Sequence, residues 1–234
     1  MNSPSVASAS TGGNPFLALN DDALRDFFEL MGHIDPPHRR VHEFIDPGEV
    51  RFRLGWIYLT HVNQRWRRLL LAMPSLWARV FANMPASAYE ETFSRAGDAS
   101  WHLSFNNEPS SRRQKLVTLA QSHMEQVRAL RVSDPTDTSD WVSTLHDRNL
   151  PELVTLDISQ DPMPDSDILL RCPNLRDCTL YNLPAQFIEP SLRRLVMRGD
   201  PALPDSVPTL LDTLVSLPYL EELELELLSR KPLV

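Results

Sequence analysis

A chain of 234 residues, 42% hydrophobic and 23% charged, can bury a real core, which excludes a disordered acidic polymer. A formal charge of −8 excludes broad nucleic-acid binding, which requires a basic face against the phosphates. The two cysteines, Cys172 and Cys178, are too few for a disulfide framework or a four-cysteine zinc site, and no apolar run reaches the about 18 residues of a membrane span.

Residues 1–15 are rich in Ser, Ala, Thr, Gly and Asn and lack a basic start followed by an apolar run. They read as a disordered tail without a secretory signal, so a cytoplasmic or nuclear protein is expected. Asn20, Asp21 and Asp22 then form a helix entrance, a capping side chain followed by acidic residues at the positive end of the helix dipole. Leu24, Phe27, Phe28 and Met31 supply its apolar stripe, and Gly32 with Pro36-Pro37 ends it.

A polar, proline-punctuated stretch runs to about Gly48. The strongest helical pattern follows, from Leu54 to Ala72, with Leu59, Val62, Trp66, Leu69 and Met73 on one face and Arg65, Arg67 and Arg68 around the other. Pro74 stops it, and Ser75-Leu76-Trp77 starts a short element anchored by its tryptophan. Residues 16–82 therefore read as a small helical module, 83–98 as a linker and 99–234 as a second domain.

In that second domain the period changes. Trp101, Leu103 and Phe105 alternate with His102 and Ser104 as in a strand, and residues 112–124 read as a helix. One pattern then recurs, an apolar residue followed at plus three and plus five by two more: Val127-Leu130-Val132, Leu153-Leu156-Ile158, Leu175-Cys178-Leu180, Leu192-Leu195-Met197 and Leu220-Leu223-Leu225. Their starts lie 26, 22, 17 and 28 residues apart, all but one within the usual range for a strand plus a returning segment. Returning helices are expected at 140–150, 165–172 and 207–217, whereas the 17-residue interval with Pro184 and Pro190 has little room for one. The expectation is an α/β fold in which successive parallel strands stack into a short solenoid.

The segment Leu54–Val80, LGWIYLTHVNQRWRRLLLAMPSLWARV, resembles the second half of the F-box-like domains abundant in mushroom-forming fungi. The residues that carry it are Trp56-Ile57, Thr60-His61-Val62, Arg65-Trp66-Arg67 and Pro74-Ser75-Leu76-Trp77. Cys172-Pro173-Asn174-Leu175 is similar to a repeat-opening phrase of the leucine-rich regions in those proteins, and the resemblance spans residues 17–228. It implies a small N-terminal F-box-like helical module followed by an irregular leucine-rich-repeat-like solenoid with a parallel sheet. It also implies that the module binds the Skp-type adaptor of a cullin–RING ubiquitin ligase while the repeats hold a protein substrate, with no catalysis by the chain itself.

On that reading Leu19, Leu24, Phe27, Phe28, Ile57, Val62 and Trp66 face the adaptor, and Pro74, Leu76 and Trp77 shape or complete the surface. The competing reading makes Trp66 and Trp77 internal core. Where the family opens with a Leu-Pro-Pro-Glu-like phrase, Leu19-Asn20-Asp21-Asp22 stands here, which keeps open a non-ligase scaffold with a degenerate F-box. The repeats also lack a regular asparagine: Pro135, Asp161, Leu183, Asp200 and Leu228 occupy its place. That departure implies an irregular, long-repeat form.

Strand positions opposite the buried set are Ala129, Arg131, Thr155, Asp157, Asp177, Thr179, Arg194, Val196, Glu222 and Glu224, which period two places on one face. Arg131, Thr155, Asp157, Asp177, Thr179, Arg194, Glu222 and Glu224 are the candidate substrate-binding residues. Arg193, Arg194 and Arg198 lie one strand from Glu221, Glu222, Glu224 and Glu226, so mutual neutralisation competes with partner binding. His38 and His42 share a helical spacing beside Glu43 but lack a third ligand, and no glycine-rich phosphate loop or nucleophile–base pair is present. No metal, cofactor, nucleic acid or membrane is expected as a partner.

Overall fold

The computed structural model describes residues 19–41, 50–105, 110–132, 141–159, 168–181, 183, 185–188, 191–199 and 206–227. The expected tail at 1–15 and the His42-Glu43 pair lie outside these residues.

Helix α1 (Asp21–Ile34) begins where its sequence asks it to. Asn20 Oδ1 accepts the Ala23 N–H at 2.8 Å, and Asp21 and Asp22 fill the first turn. Its buried stripe is Leu24, Phe28 and Gly32. At Gly32 a Cβ would lie 2.5 Å from Leu76 Cδ2, so the missing side chain is what lets this helix meet the next layer. After Pro36-Pro37 the chain forms an antiparallel ribbon, β1 (His38–Val41) and β2 (Val50–Arg53), where only a polar connection was expected. Its strands, HRRV and VRFR, carry too little apolar alternation to be picked out in advance.

The single helix expected over 54–72 is two elements. A 3₁₀ segment, Gly55–His61, precedes α2 (Gln64–Leu71), and the break falls at Asn63. Asn63 is fully extended and its Oδ1 accepts the Trp66 N–H at 2.9 Å, so its side chain starts a new helix where an apolar-period reading runs straight through. Gly55, at φ +53°, lies against the exit of α1: a Cβ there would stand 2.3 Å from the Asp35 carbonyl oxygen, which accepts the Trp56 N–H at 2.8 Å.

Helix α3 (Pro74–Val80) starts on a proline, and Trp77 Nε1–H donates to the Leu70 carbonyl at 2.9 Å. The segment read as a linker contains α4 (Tyr89–Ala96), which packs against α3.

Strand β3 (Trp101–Phe105) and helix α5 (Ser110–Ser122) lead into the repeated motifs. Their strands are β4 (Val127–Val132), β5 (Thr155–Ser159), β7 (Asp177–Tyr181), β9 (Arg194–Gly199) and β10 (Glu222–Leu227), with β6 (Ile168–Arg171) and β8 (Ala185–Ile188) intervening. The main sheet is entirely parallel and ordered β3-β4-β5-β7-β9-β10. The motif positions fall in register across it: Leu130, Leu156, Cys178, Leu195 and Leu223 form one row, and Val132, Ile158, Leu180, Met197 and Leu225 the next.

Between the motifs, α6 (Trp141–Leu145) and α7 (Ser206–Val215) stand where helices were expected. The expected helix at 165–172 is corrected in its described part, where Ile168–Arg171 form strand β6, paired in parallel with β8 in a second sheet. Ile168 and Leu170 are buried while Leu169 is only half-buried, a period of two that three consecutive apolar residues conceal. One continuous core runs from Leu24 in the helical module to Leu217 beyond α7.

Candidate functional site

The helical module spends much of its apolar surface on itself. Leu24, Phe28 and Leu76 are fully buried, and Trp66 and Trp77 nearly so. The Phe28 ring meets Trp66 edge-on at 5.3 Å and Trp56 meets Trp77 at 4.9 Å, offset contacts that fix the packing of α1, the 3₁₀ segment, α2 and α3. The reading of the two tryptophans as core therefore describes this structure, and it extends to Leu24, Phe28 and Leu76. These five set the module's shape and do not offer a free surface.

Leu19, Phe27 and Ile57 are half-buried against the core, with the Phe27 ring 5.9 Å from Trp66. Val62 and Pro74 are exposed, Val62 at 55%. Leu30, Ile34 and Tyr58 are equally open, and the sequence reasoning passed over them. The signal was available for two of them: Leu30 and Ile34 lie four residues apart, about 200° round α1 from the buried Phe28 and Gly32.

Of the three arginines of α2, Arg65 is structural. Its Nε–H donates to Asp21 Oδ1 at 2.8 Å and its guanidinium to the Leu19 carbonyl at 2.6 Å, which pins the start of α1 onto α2. Arg68 reaches Asp21 at 4.0 Å, and Arg67 is exposed. Glu29 accepts from Ser75 Oγ–H at 2.5 Å and pairs with Arg79 at 2.9 Å, tying α1 to α3.

The outer face of the main sheet is mostly polar. Its first row reads His102, Ala129, Thr155, Asp177, Arg194, Glu222, and its second Ser104, Arg131, Asp157, Thr179, Val196, Glu224. The structure thus brings all eight candidate substrate residues onto one face.

Charge is not spread evenly over that face. Arg131 pairs with Asp157 at 2.9 Å, Arg194 with Glu222 at 3.1 Å and Glu224 at 3.5 Å, and Arg198 with Glu224 at 3.3 Å and Glu226 at 2.9 Å. The β9–β10 half is therefore internally neutralised in the main, as the charge spacing allowed. Among the described residues no hydrogen bond or ion pair engages the side chains of Thr155, Asp177 or Thr179, in the middle of the sheet.

Val196 departs from its expected exposure. It lies on the outer face yet is buried, flanked on β9 by Arg194 and Arg198, both of which pair with glutamates of β10. At the strand entrances a shallow cleft of about 530 Å³ opens beside Arg176, Arg193, Tyr219 and Glu221, with Arg193 held by Glu221 at 3.2 Å.

Chemistry is poorly provided for in the described residues. Burial pushes the Cys172 thiol up to about 12 and the Cys178 thiol well above its ordinary value, so neither is a thiolate at neutral pH. No group of three or more His, Cys, Asp or Glu side chains could hold a metal ion, and no helix is long and apolar enough to cross a membrane, among the described residues. Comparison of the chain with protein-family models, with curated proteins and with solved structures finds no match.

Proposed function

We propose that this protein is a non-catalytic substrate receptor of a Skp–cullin–F-box ubiquitin ligase, which binds a Skp-type adaptor through its helical module and a protein substrate through the outer face of its parallel sheet. The observation that supports this reading most is the largely polar outer face of the main sheet, interrupted only at Ala129 and Val196 in its two described rows. Its register-aligned rows leave Thr155, Asp177 and Thr179 with side-chain hydrogen-bonding capacity that no described residue uses. An extended, rigid polar surface of this kind suits recognition of another protein by complementary charge and hydrogen bonding. The leucine-rich-repeat-like reading draws on the same rows, since a recurring strand motif stacked in parallel is how repeat domains build their binding face.

On the module side the exposed apolar residues Val62, Tyr58, Leu30 and Ile34 are the contacts offered to an adaptor, together with half-buried Phe27 and Ile57. A second reading, a protein-interaction scaffold without ligase coupling, is favoured by the burial of Leu24, Phe28, Trp66, Leu76 and Trp77, because those side chains are committed to folding.

Calorimetric titration of the full chain with a Skp-type adaptor decides between them. The ligase reading predicts a dissociation constant in the micromolar range or tighter, weakened at least about tenfold by Val62→Glu with an unchanged melting temperature. A folded chain that binds no adaptor at micromolar concentration overturns it and leaves the scaffold.

A further inference from the structure

The last strand of the main sheet presents an unfinished edge. Strand β10 pairs with β9 on one side only, and among the described residues no strand covers its other side. The Glu222 N–H points toward β9, donating to the carbonyl of Arg193 just before that strand. Since backbone groups point to alternate sides along a strand, those of Leu223 and Leu225 face the open edge.

The side chains there are also uncovered. Leu223 and Leu225 occupy the core-facing rows, where Leu130, Leu156, Leu195, Val132, Ile158 and Leu180 are fully buried, yet they remain 40% and 44% exposed. The second layer ends the same way. On α7, Thr213 turns toward β8, its hydroxyl donating to the Ala185 carbonyl at 3.3 Å, whereas Leu211 and Val215 lie about 200° away round the helix and are 57% and 86% exposed.

The opposite face of β10 states what could pair with this edge. Glu222, Glu224 and Glu226 share two arginines, Arg194 and Arg198, so carboxylates exceed guanidiniums, and each glutamate side chain is about half exposed. A second copy of the chain is a poor occupant. Antiparallel pairing of β10 with itself across a two-fold axis would set these glutamates against one another, and like charges directly opposite are destabilising. Strand β9, with arginines at both ends of Arg194-Leu195-Val196-Met197-Arg198, already satisfies the other edge of β10.

We infer that the free edge of β10 is a strand-addition site for an extended segment of a partner protein in which apolar residues alternate with basic ones. Main-chain hydrogen bonds to Leu223 and Leu225 supply the pairing, the exposed leucines take the apolar side chains, and the glutamate row selects lysine or arginine. The inference goes beyond the adaptor reading and does not depend on it.

A fluorescein-labelled peptide of residues 192–199 is the probe, titrated against the full chain by anisotropy beside a control in which Arg193, Arg194 and Arg198 are replaced by glutamate. Saturable binding is expected, at least about tenfold tighter for the basic peptide. The binding should be lost in Leu225→Pro, which removes an edge-facing N–H and leaves the β9 side of the ladder intact. The double variant Leu223→Lys, Leu225→Lys, checked for an unchanged far-ultraviolet spectrum, serves where the proline variant does not fold. Equal affinity for the two peptides, undiminished binding to a folded edge variant, no binding of the basic peptide, or self-association of the chain that either edge variant abolishes would each overturn the proposal.

Discussion

At the β3 end of the main sheet, Trp101 is fully buried, with its ring 4.9 Å from Phe81, 5.3 Å from Phe93 and 5.1 Å from His123. At the β10 end, leucines in the equivalent inward rows stand almost half exposed. Both strands are edges of one sheet, so the difference lies in what covers them. The helical module is the cover at β3: α3 and the turn after it contact this strand directly, and Arg95 stacks over Trp77 at 4.7 Å where α4 folds back. A stacked parallel sheet needs both ends finished, because an end strand leaves an apolar face and a row of backbone groups unsatisfied. The module thus completes the sheet as well as offering its own surface.

The sharpest way to break this comparison is at the buried end. Trp101→Ala should cost about 3–5 kcal/mol of unfolding free energy by urea denaturation, since it empties the aromatic junction between module and sheet. Leu225→Lys should change stability by less than about 1 kcal/mol in the same assay, because its side chain already meets solvent. Equal losses at the two positions would remove the distinction.

Within the module the same contrast holds on a smaller scale. Leu24→Ala should cost about 2–5 kcal/mol and Asn63→Ala about 1 kcal/mol, the latter through loss of the cap that starts α2. Val62→Glu should stay within about 0.5 kcal/mol of the unmodified chain.

The capped end should also carry a pH signature. His102 faces outward from β3, and burial, then the charges of Arg79 and Arg128 and the nearby His33, lower its pKa from 6.5 to about 4. The folded value lies below the unfolded one, so the unfolded chain binds the extra proton between them. His102 thus favours folding fully above pH 6.5, and that contribution declines as pH falls toward 4. His102→Gln should flatten this decline in thermal melts between pH 7.5 and 4.5. An identical slope in both proteins would show that the ring is not shielded.

Much of the second domain was legible because its signal repeats. Each motif places a leucine or its equivalent three residues before a pair of core-facing strand positions, and five imperfect copies reinforce one another until the register rows can be written from spacing alone. The module offered no such redundancy. Val62 looked like part of the Trp66 stripe until Asn63 turned its side chain back to cap α2, a local hydrogen bond that apolar periodicity does not see. Leu24 and Phe28 were expected to face the adaptor and are buried instead, since apolar character states that a residue avoids water and not which neighbour shields it. Strand β6 was hidden because Ile168-Leu169-Leu170 satisfies either period over so short a run. The ion-pair ladder of β9 and β10 was foreseeable from charge spacing, whereas the burial of Val196 on the same face was not, since period two places it outward.

Hydrogen–deuterium exchange of the full chain, followed by mass spectrometry over Trp101–Phe105 and Glu222–Leu227, tests most directly whether one end of the sheet is covered and the other open. The account predicts exchange at least about tenfold slower over β3 than over β10, with β10 slowed selectively when the basic peptide of residues 192–199 is added. Protection of β10 equal to that of β3 in the chain alone would contradict it.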